Sequence, residues 1–346
     1  MGAEPHAIVT SAVPETIDAR ATDDLLAVAA HLDRMAAAWL DSLGPSIRRD
    51  GRRVAYVLVG TAEYALGLDV LVRSLRAVTD LPILLLAAGG WQPALQAPNL
   101  AVLAVPEIIK QDLEGSMAAR FRRTLTKLWT FGFVSLDRLV YLDGDCLVRQ
   151  PIDDLFDGAG FAAAPDLLSN QPFPVFNSGA FALSPDAALR NALFESLPAT
   201  PSFDGGDQGI LNALLGNDVR WLPIRDNYLR TYEPILPGAA RAARVIHYSA
   251  KKPWTVVSEA VGDPALLGLD DVWTERLDRA GLMEMVTAWR RSVAESEIAA
   301  NAALGRVEAD LALQRRRINR LMRRVLAGLG LVALLQLALL VAWLFG

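Results

Sequence analysis

Cysteine occurs once in these 346 residues and histidine only three times. The single Cys146 excludes an intramolecular disulfide, leaves no cysteine-based metal site, and fits a reducing compartment. There is no excess of positive charge. The formal net charge is −5, which argues against nucleic acid as the main partner. The first residues, MGAEPHAIVT, have neither a basic start nor an apolar stretch, so no signal peptide is expected there. No internal repeat is evident. The run from Val325 to Phe345 carries no charge and is almost wholly apolar.

Those 21 residues, as a helix rising about 1.5 Å each, match a hydrocarbon core of roughly 30 Å. The competing reading is a buried core helix. Gln336 is its one strongly polar side chain, fit to bond a partner helix or simply to be tolerated. Immediately before it stand Arg315, Arg316, Arg317, Arg320, Arg323 and Arg324. That flank predicts a single-pass C-terminal anchor with the arginines and everything upstream on the cytoplasmic side. It also predicts contact with anionic membrane lipids.

The rest divides by texture. Residues 1–21 read as a disordered start. Thr22 is placed to cap a helix with Leu25, Leu26, Ala29, Leu32 and Met35 at helical spacing, ending near Gly44–Pro45. From Arg53, VAYVLVG (54–60) reads as a buried strand, LDVLVRSLRAV (68–78) as the helix behind it, and LPILLLAAG (81–89) as the next strand. Strand–helix alternation favours an α/β fold with a mostly parallel sheet. Residues 124–137 are expected to be helical, and RLVYLDGDCLV (138–148) reads as a strand running into two carboxylates. After Trp254 the pattern becomes Ala-, Arg- and Glu-rich. Leu304, Val307, Leu311, Ile318 and Leu321 suggest a helical stalk able to pair with another copy. A single amphipathic helix lying on the preceding domain fits the same spacing.

Asp143 and Asp145 stand one residue apart at the end of an apolar strand. Two hard oxygen ligands there suit Mg²⁺ or Mn²⁺ and leave coordination sites for phosphate oxygens. Gly144 between them permits close approach to the backbone. A surface turn is the plain alternative, opposed by the apolar residues before it. Phosphatases of the haloacid-dehalogenase type also end a strand in this pattern, but in them it closes the first strand of the fold. Here about ninety residues of strand and helix pattern come first. Downstream, FNSGAFALS (176–184) brings Asn177, Ser178 and Gly179 to the start of an apolar segment. SFDGGDQGILN (202–212) sets Asp204, Asp207 and Gln208 among glycines at the mouth of a helix beginning near Gly209. That setting suits anion or sugar-hydroxyl binding, or simple helix capping by one of the aspartates. RVIHYSAKKPW (244–254) ends a strand at His247 and then offers Lys251 and Lys252. A histidine there is usually structural; with the two aspartates it becomes a candidate third metal ligand, with a lysine to neutralise a diphosphate.

Taken in order, YLDGDCLV, FNSGAFAL, SFDGGDQGILN and HYSAKKPW resemble family 8 of the glycosyltransferases, in its glycogenin-like branch. The likeness covers 53–254. GTAEYALGLDVLVRSLR (60–76) is similar to the family's nucleotide-binding loop and helix, with Thr61 and Tyr64 at matching places, and TLTKLWTFGF (124–133) to the segment whose lysine, here Lys127, reaches the donor. The resemblance implies a GT-A fold, here over 53–257; the chain's own texture sets a tail and helix (1–52) before it and a stalk (258–324) and the anchor (325–345) after it. The resemblance also implies a UDP-sugar donor, Mn²⁺ or Mg²⁺, and retention at the anomeric carbon. Asp143, Asp145 and His247 would bind metal, and Lys127 and Lys252 would hold donor phosphates or sugar. Asp166, Asn177, Ser178, Asp204, Asp207 and Gln208 would line the sugar and reaction centre. The acceptor is expected to be a glycan, a lipid-linked sugar or a protein, with a membrane-tethered sugar-nucleotide-binding scaffold without turnover as the other reading. Three departures stand out. The lysine follows His247 by five positions rather than six, Ala62 replaces a polar loop residue, and the glycine expected between His247 and the lysine is either replaced by Ala250 or absent. Tyr232 lies near the place of the branch's self-glucosylated tyrosine.

Overall fold

The computed structural model describes residues 7–8, 14–110, 124–250, 252–254 and 264–287, with scattered helical positions between 290 and 322. Two units result, Met1–Val286 and Thr287–Gly346. In the second, every described position is helical, and Leu304 and Leu311 are exposed. Val307, Ile318 and Leu321 lie outside the described residues.

The first unit is built on an eight-stranded sheet. Its strands are β1 (Ala7–Ile8), β3 (Val54–Gly60), β4 (Ile83–Ala88), β5 (Leu100–Val105), β7 (Arg138–Asp143), β9 (Phe161–Pro165), β10 (Phe176–Leu183) and β11 (Arg220–Trp221). They lie in the order β1-β5-β4-β3-β7-β10-β9-β11. From β1 to β7 all pairs are parallel; β10 is antiparallel to both β7 and β9. Continuous apolar runs in β3 and β4 are what a strand covered on both faces requires. Ala55 and Val57 of β3 face one core with α1 (Thr22–Ser42), while Val54, Tyr56 and Leu58 face the other with α2 (Ala65–Arg76).

Several expectations are corrected here. Thr22 is the first residue of α1, and Ala21, which has no side-chain oxygen, precedes it. The expected disordered start contains β2 (Thr16–Asp18), paired in parallel with β6 (Glu107–Ile109), and β1. The helix expected over 124–137 is a 3-10 segment, Thr124–Gly132, in which the Cα face of Gly132 abuts Ala29 of α1. The beginning of the expected stalk belongs to the first unit. There α5 (Pro264–Thr274) sets Trp273 against Trp254 with ring centroids 5.2 Å apart, and Asp270 takes Nη2 of Arg230 at 2.6 Å. The membrane placement is corrected as well: no helix among the described residues is long and apolar enough to cross a membrane. The run 325–345 that carried that expectation lies outside the described residues.

A smaller sheet, β12 (Tyr228–Leu229), β13 (Val245–His247) and β8 (Cys146–Val148), stands beside the C-terminal end of β7. Helix α2 closes tightly over the turn between β7 and β8, with a glycine on each side of the contact. A methyl at Gly67 would overlap the Gly144 carbonyl oxygen and the Trp254 ring. A methyl on Gly144 would press Leu68 Cγ at 3.2 Å and Tyr64 Cδ1 at 3.3 Å. Gly144 therefore serves helix packing in addition to backbone access. Gly67→Ala is expected to lose about 1–3 kcal/mol of stability from overpacking in chemical denaturation.

Candidate functional site

The chain lays β4 and β5 to one side of β3 and returns to place β7 on the other. Ligands of open α/β sheets sit at such a reversal, beyond the carboxyl ends of the strands. At this one, β3 ends at Gly60 and leads into Thr61 and Tyr64, and β7 ends at Asp143. The turn Gly144–Asp145 then feeds β8, which pairs with β13 and so sets Cys146 opposite His247.

Three carboxylates meet there with two ammonium groups. Lys127 Nζ lies 3.0 Å from Asp143 Oδ1 and 2.9 Å from Asp207 Oδ2, and donates to the Ser178 carbonyl at 3.3 Å. Lys252 Nζ pairs with Asp145 Oδ2, donates to the Tyr248 carbonyl at 3.1 Å, and sits 5.7 Å above the Tyr64 ring. His247 Nε2 is 3.3 Å from Asp145 Oδ1 and 3.8 Å from Asp143 Oδ2. Tyr141 donates its hydroxyl to Asp143 Oδ1 at 2.5 Å, and Ser178 donates to Asp207 Oδ2 at 2.5 Å.

Burial and charge compete at these groups. Burial raises Asp143 above the ordinary carboxylate range against the pull of Lys127. Burial opposes ionisation of Asp145 too, but Lys252 and His247 outweigh it and hold that carboxyl low. For Lys127 burial works against the charge, yet Asp143 and Asp207 drive its value up.

Potential ligand atoms of Asp145, Cys146 and His247 lie within 4.8 Å of one another. The Cys146 thiol is a poor member of that set. Burial, then Asp145 and Asp143, push it far above its usual range, and it donates to the Gly179 carbonyl at 3.7 Å. A hard cation prefers oxygen and imidazole donors. Asp143, whose Oδ2 reaches toward the same Nε2, is the chemically better third partner.

A second cluster adjoins the first. Gln208 Nε2 donates to Asp166 Oδ2 at 3.0 Å, and its Oε1 accepts from Asn177 Nδ2 at 3.0 Å. Asp204 is placed differently from Asp207 and Gln208. Its Oδ1 accepts from the backbone N–H of Gly206 at 2.9 Å and of Gly209 at 3.0 Å, and from the Ser202 hydroxyl at 2.7 Å. It thus secures the turn into α4 (Asp207–Leu215), which begins two residues earlier than expected, after Gly206. Tyr232 is fully buried and bonds the Pro165 carbonyl and the Leu167 N–H, so its hydroxyl is not open to an acceptor role. Ala250 takes a left-handed φ of 67°, a conformation that favours glycine. Lys251 lies outside the described residues.

Sequence reasoning missed four contributors. Tyr141 touches Asp143, Thr124 Oγ1 accepts from the Asp207 N–H at 3.3 Å, and Trp254 packs on Tyr64 with ring centroids 6.0 Å apart. Asn227 joins Asn177 to His247. Tyr141 was open to discovery, since a strand residue two before Asp143 shares its face.

No protein-family model matches the chain. It is similar to glycogenin-1 of Homo sapiens, with 37% identity over 142 residues, 38% of this chain and 39% of that protein. It is also similar to inositol phosphorylceramide glucuronosyltransferase 1 of Arabidopsis thaliana, with 31% identity over 186 residues, 49% of this chain and 32% of the relative. The chain thus spans well under half the length of these curated relatives. Among solved structures, the apo form of the bifunctional glycosyltransferase WbbM shares the fold at a TM-score of 0.54. The match covers 69% of this chain and 52% of that one at 18% identity.

Lys127 gives a direct test of the charge arrangement. Lys127→Met leaves Asp143 and Asp207 buried without their shared cation, and is expected to cost about 3–5 kcal/mol in urea unfolding at neutral pH. Without the lysine, Asp143, already raised by burial, takes a proton more readily in the folded state. A folded-state value above the unfolded carboxyl's (~3.9) favours the folded form as pH falls. The deficit should therefore shrink as pH drops through the raised value.

Proposed function

We propose that this chain, which belongs to the glycogenin-like glycosyltransferases of family 8, moves a hexose from a UDP-sugar to a hydroxyl of a glycan or protein acceptor with retention at the anomeric carbon. The observation that carries the reading is the convergence of Asp143, Asp145, His247, Lys127 and Asp207 at the sheet's switch point. A protein that only bound sugar nucleotide would have little use for a buried set of three carboxylates, two of them shared by one lysine.

Asp143, Asp145 and His247 would hold Mn²⁺ or Mg²⁺. When bound, the cation neutralises charge developing on the diphosphate leaving group. Lys252, between Asp145 and the Tyr64 ring, is a flexible cation at the edge of the same place and adds charge for the diphosphate. Thr61 and Tyr64, on the turn after β3, are suited to the nucleoside side. Asp166, Asn177 and Gln208 form a polar wall whose amides are fixed by mutual bonds, a preorganised surface for sugar hydroxyls. Asp207 Oδ2 is engaged by both Lys127 and Ser178, so its first task is to orient Lys127. Gln208 is the better candidate beside the reacting carbon.

The decisive assay is UDP release from a panel of UDP-sugars with Mn²⁺ and with chelator. Turnover with at least one donor that stops on chelation is the expected result. Asp145→Asn removes an anionic oxygen at nearly constant volume and should lower that turnover by more than the roughly 10–100-fold typical of residues that only support a ligand. Full turnover in that variant would contradict the metal assignment.

A further inference from the structure

Asn227 lies between the 3-10 turn Ile224–Asp226 and β12, and is fully buried. The turn is pinned by Arg244, whose Nε donates to Asp226 Oδ1 at 2.5 Å, and β12 runs parallel to β13 with Leu229 beside His247. Asn227 therefore occupies a fixed place next to the imidazole. Its Nδ2 donates to Asn177 Oδ1 at 2.9 Å, and its Oδ1 lies 3.2 Å from His247 Nδ1.

The direction of each bond along this row of side chains follows from the backbone groups beside it. An N–H can only donate, and the Gly179 N–H points at Asn177 Oδ1 from 3.0 Å. That end of Asn177 is thus the oxygen, and its Nδ2 faces Gln208 Oε1 and the Asp166 carboxylate. A second backbone donor, Ser178 N–H, lies 3.4 Å from Gln208 Oε1 and orients that amide the same way. An oxygen on Asn177 requires an N–H from Asn227, so the amide nitrogen of Asn227 faces Asn177 and its oxygen faces His247. Oδ1 is an acceptor only, so Nδ1 carries the proton. The lone pair of neutral His247 is then on Nε2, the atom that faces Asp145 and Asp143.

We propose that Asn227 is a positioning residue that locks His247 in the Nδ1–H tautomer, presenting the Nε2 lone pair to the cation held by Asp143 and Asp145. The proposal rests on the metal reading above. It adds a connection: a continuous file of side-chain amides, Gln208–Asn177–Asn227, joins the sugar-facing Asp166 to the metal-facing imidazole. Ring-nitrogen partners of a ligating histidine set its tautomer and orientation, and their loss costs about 10–100-fold in metal affinity. A close neighbour reinforces the arrangement, since a methyl at Gly179 would overlap His247 Cε1 and Nδ1. The ring has one seat.

The test uses the full chain, which has only three histidines. Long-range proton–nitrogen correlation spectra of metal-free protein, at a pH where imidazole is neutral, should show His247 as the Nδ1–H form. Mn²⁺ binding, followed by the electron-paramagnetic-resonance signal of free Mn²⁺, should weaken about 10–100-fold in Asn227→Leu. Asn227→Asp keeps an acceptor at Nδ1 and loses the donor to Asn177, so it should bind Mn²⁺ near wild-type strength while unfolding at lower temperature. An Nε2–H tautomer in the wild type overturns the proposal, and this reading stands even if the leucine variant does not fold. Wild-type Mn²⁺ affinity in a folded Asn227→Leu overturns it as well. Unchanged Mn²⁺ affinity in His247→Ala instead overturns the metal reading beneath it.

Discussion

The ammonium of Lys127, buried between Asp143 and Asp207, sets the terms for the rest of the site. Buried carboxylates without partners would cost several kcal/mol each, and three of them converge here. Lys127 answers two and Lys252 answers the third, Asp145. Each pairing crosses the fold: Lys127 comes from the 3-10 segment, Asp143 from β7, Asp207 from the start of α4, and Lys252 from beyond β13. The sheet, the helix mouth and the 3-10 segment must therefore all be in register before the charges are satisfied. A site of this kind is specified by the whole unit. Its charges are also poised for exchange, since a bound diphosphate and cation would offer the lysines and carboxylates new partners of the same sign as the old.

Around that centre the packing is unforgiving on one side and polar on the other. Helix α2 rests directly on the Gly144 turn, where a methyl at Gly67 would overlap the Gly144 carbonyl and Trp254 and one at Gly144 would crowd Leu68 and Tyr64. The opposite wall is a chain of amides and carboxylates, Asp166, Gln208, Asn177 and Asn227, every link in hydrogen-bond contact. Apolar packing fixes where the two aspartates stand, and the amide chain fixes how the imidazole is turned. Position and orientation are supplied by different parts of the chain.

Much of this was legible in the sequence, for reasons that differ by residue. The strands β3, β4 and β7 announced themselves as continuous apolar runs, as doubly covered strands must. Asp143, Asp145, Asp207 and Gln208 stood in short local patterns, and the structure brings all four into the two adjoining clusters. What escaped was nonlocal. Residues Thr16–Asp18 became a strand only because Glu107–Ile109 offers an edge. The 124–132 segment tightened to 3-10 geometry where it meets α1. Asn227 could not be singled out because its partners lie 20 and 50 residues away in opposite directions along the chain. Asp204 looked like a site residue by adjacency, and its carboxylate is spent on the turn before α4. The membrane placement was drawn from an apolar run, and no helix among the described residues supports it.

The central claim is that one cation site, made by Asp143, Asp145 and His247, serves a UDP-sugar donor. A crystal structure of the full chain with Mn²⁺ and UDP, with diffraction data collected at the manganese absorption edge, tests it most directly. The account predicts an anomalous peak in bonding contact with Asp143, Asp145 and His247 Nε2, and with the UDP diphosphate on its open side. A peak held by Cys146, or one elsewhere in the chain with UDP bound away from the end of β7, would contradict it.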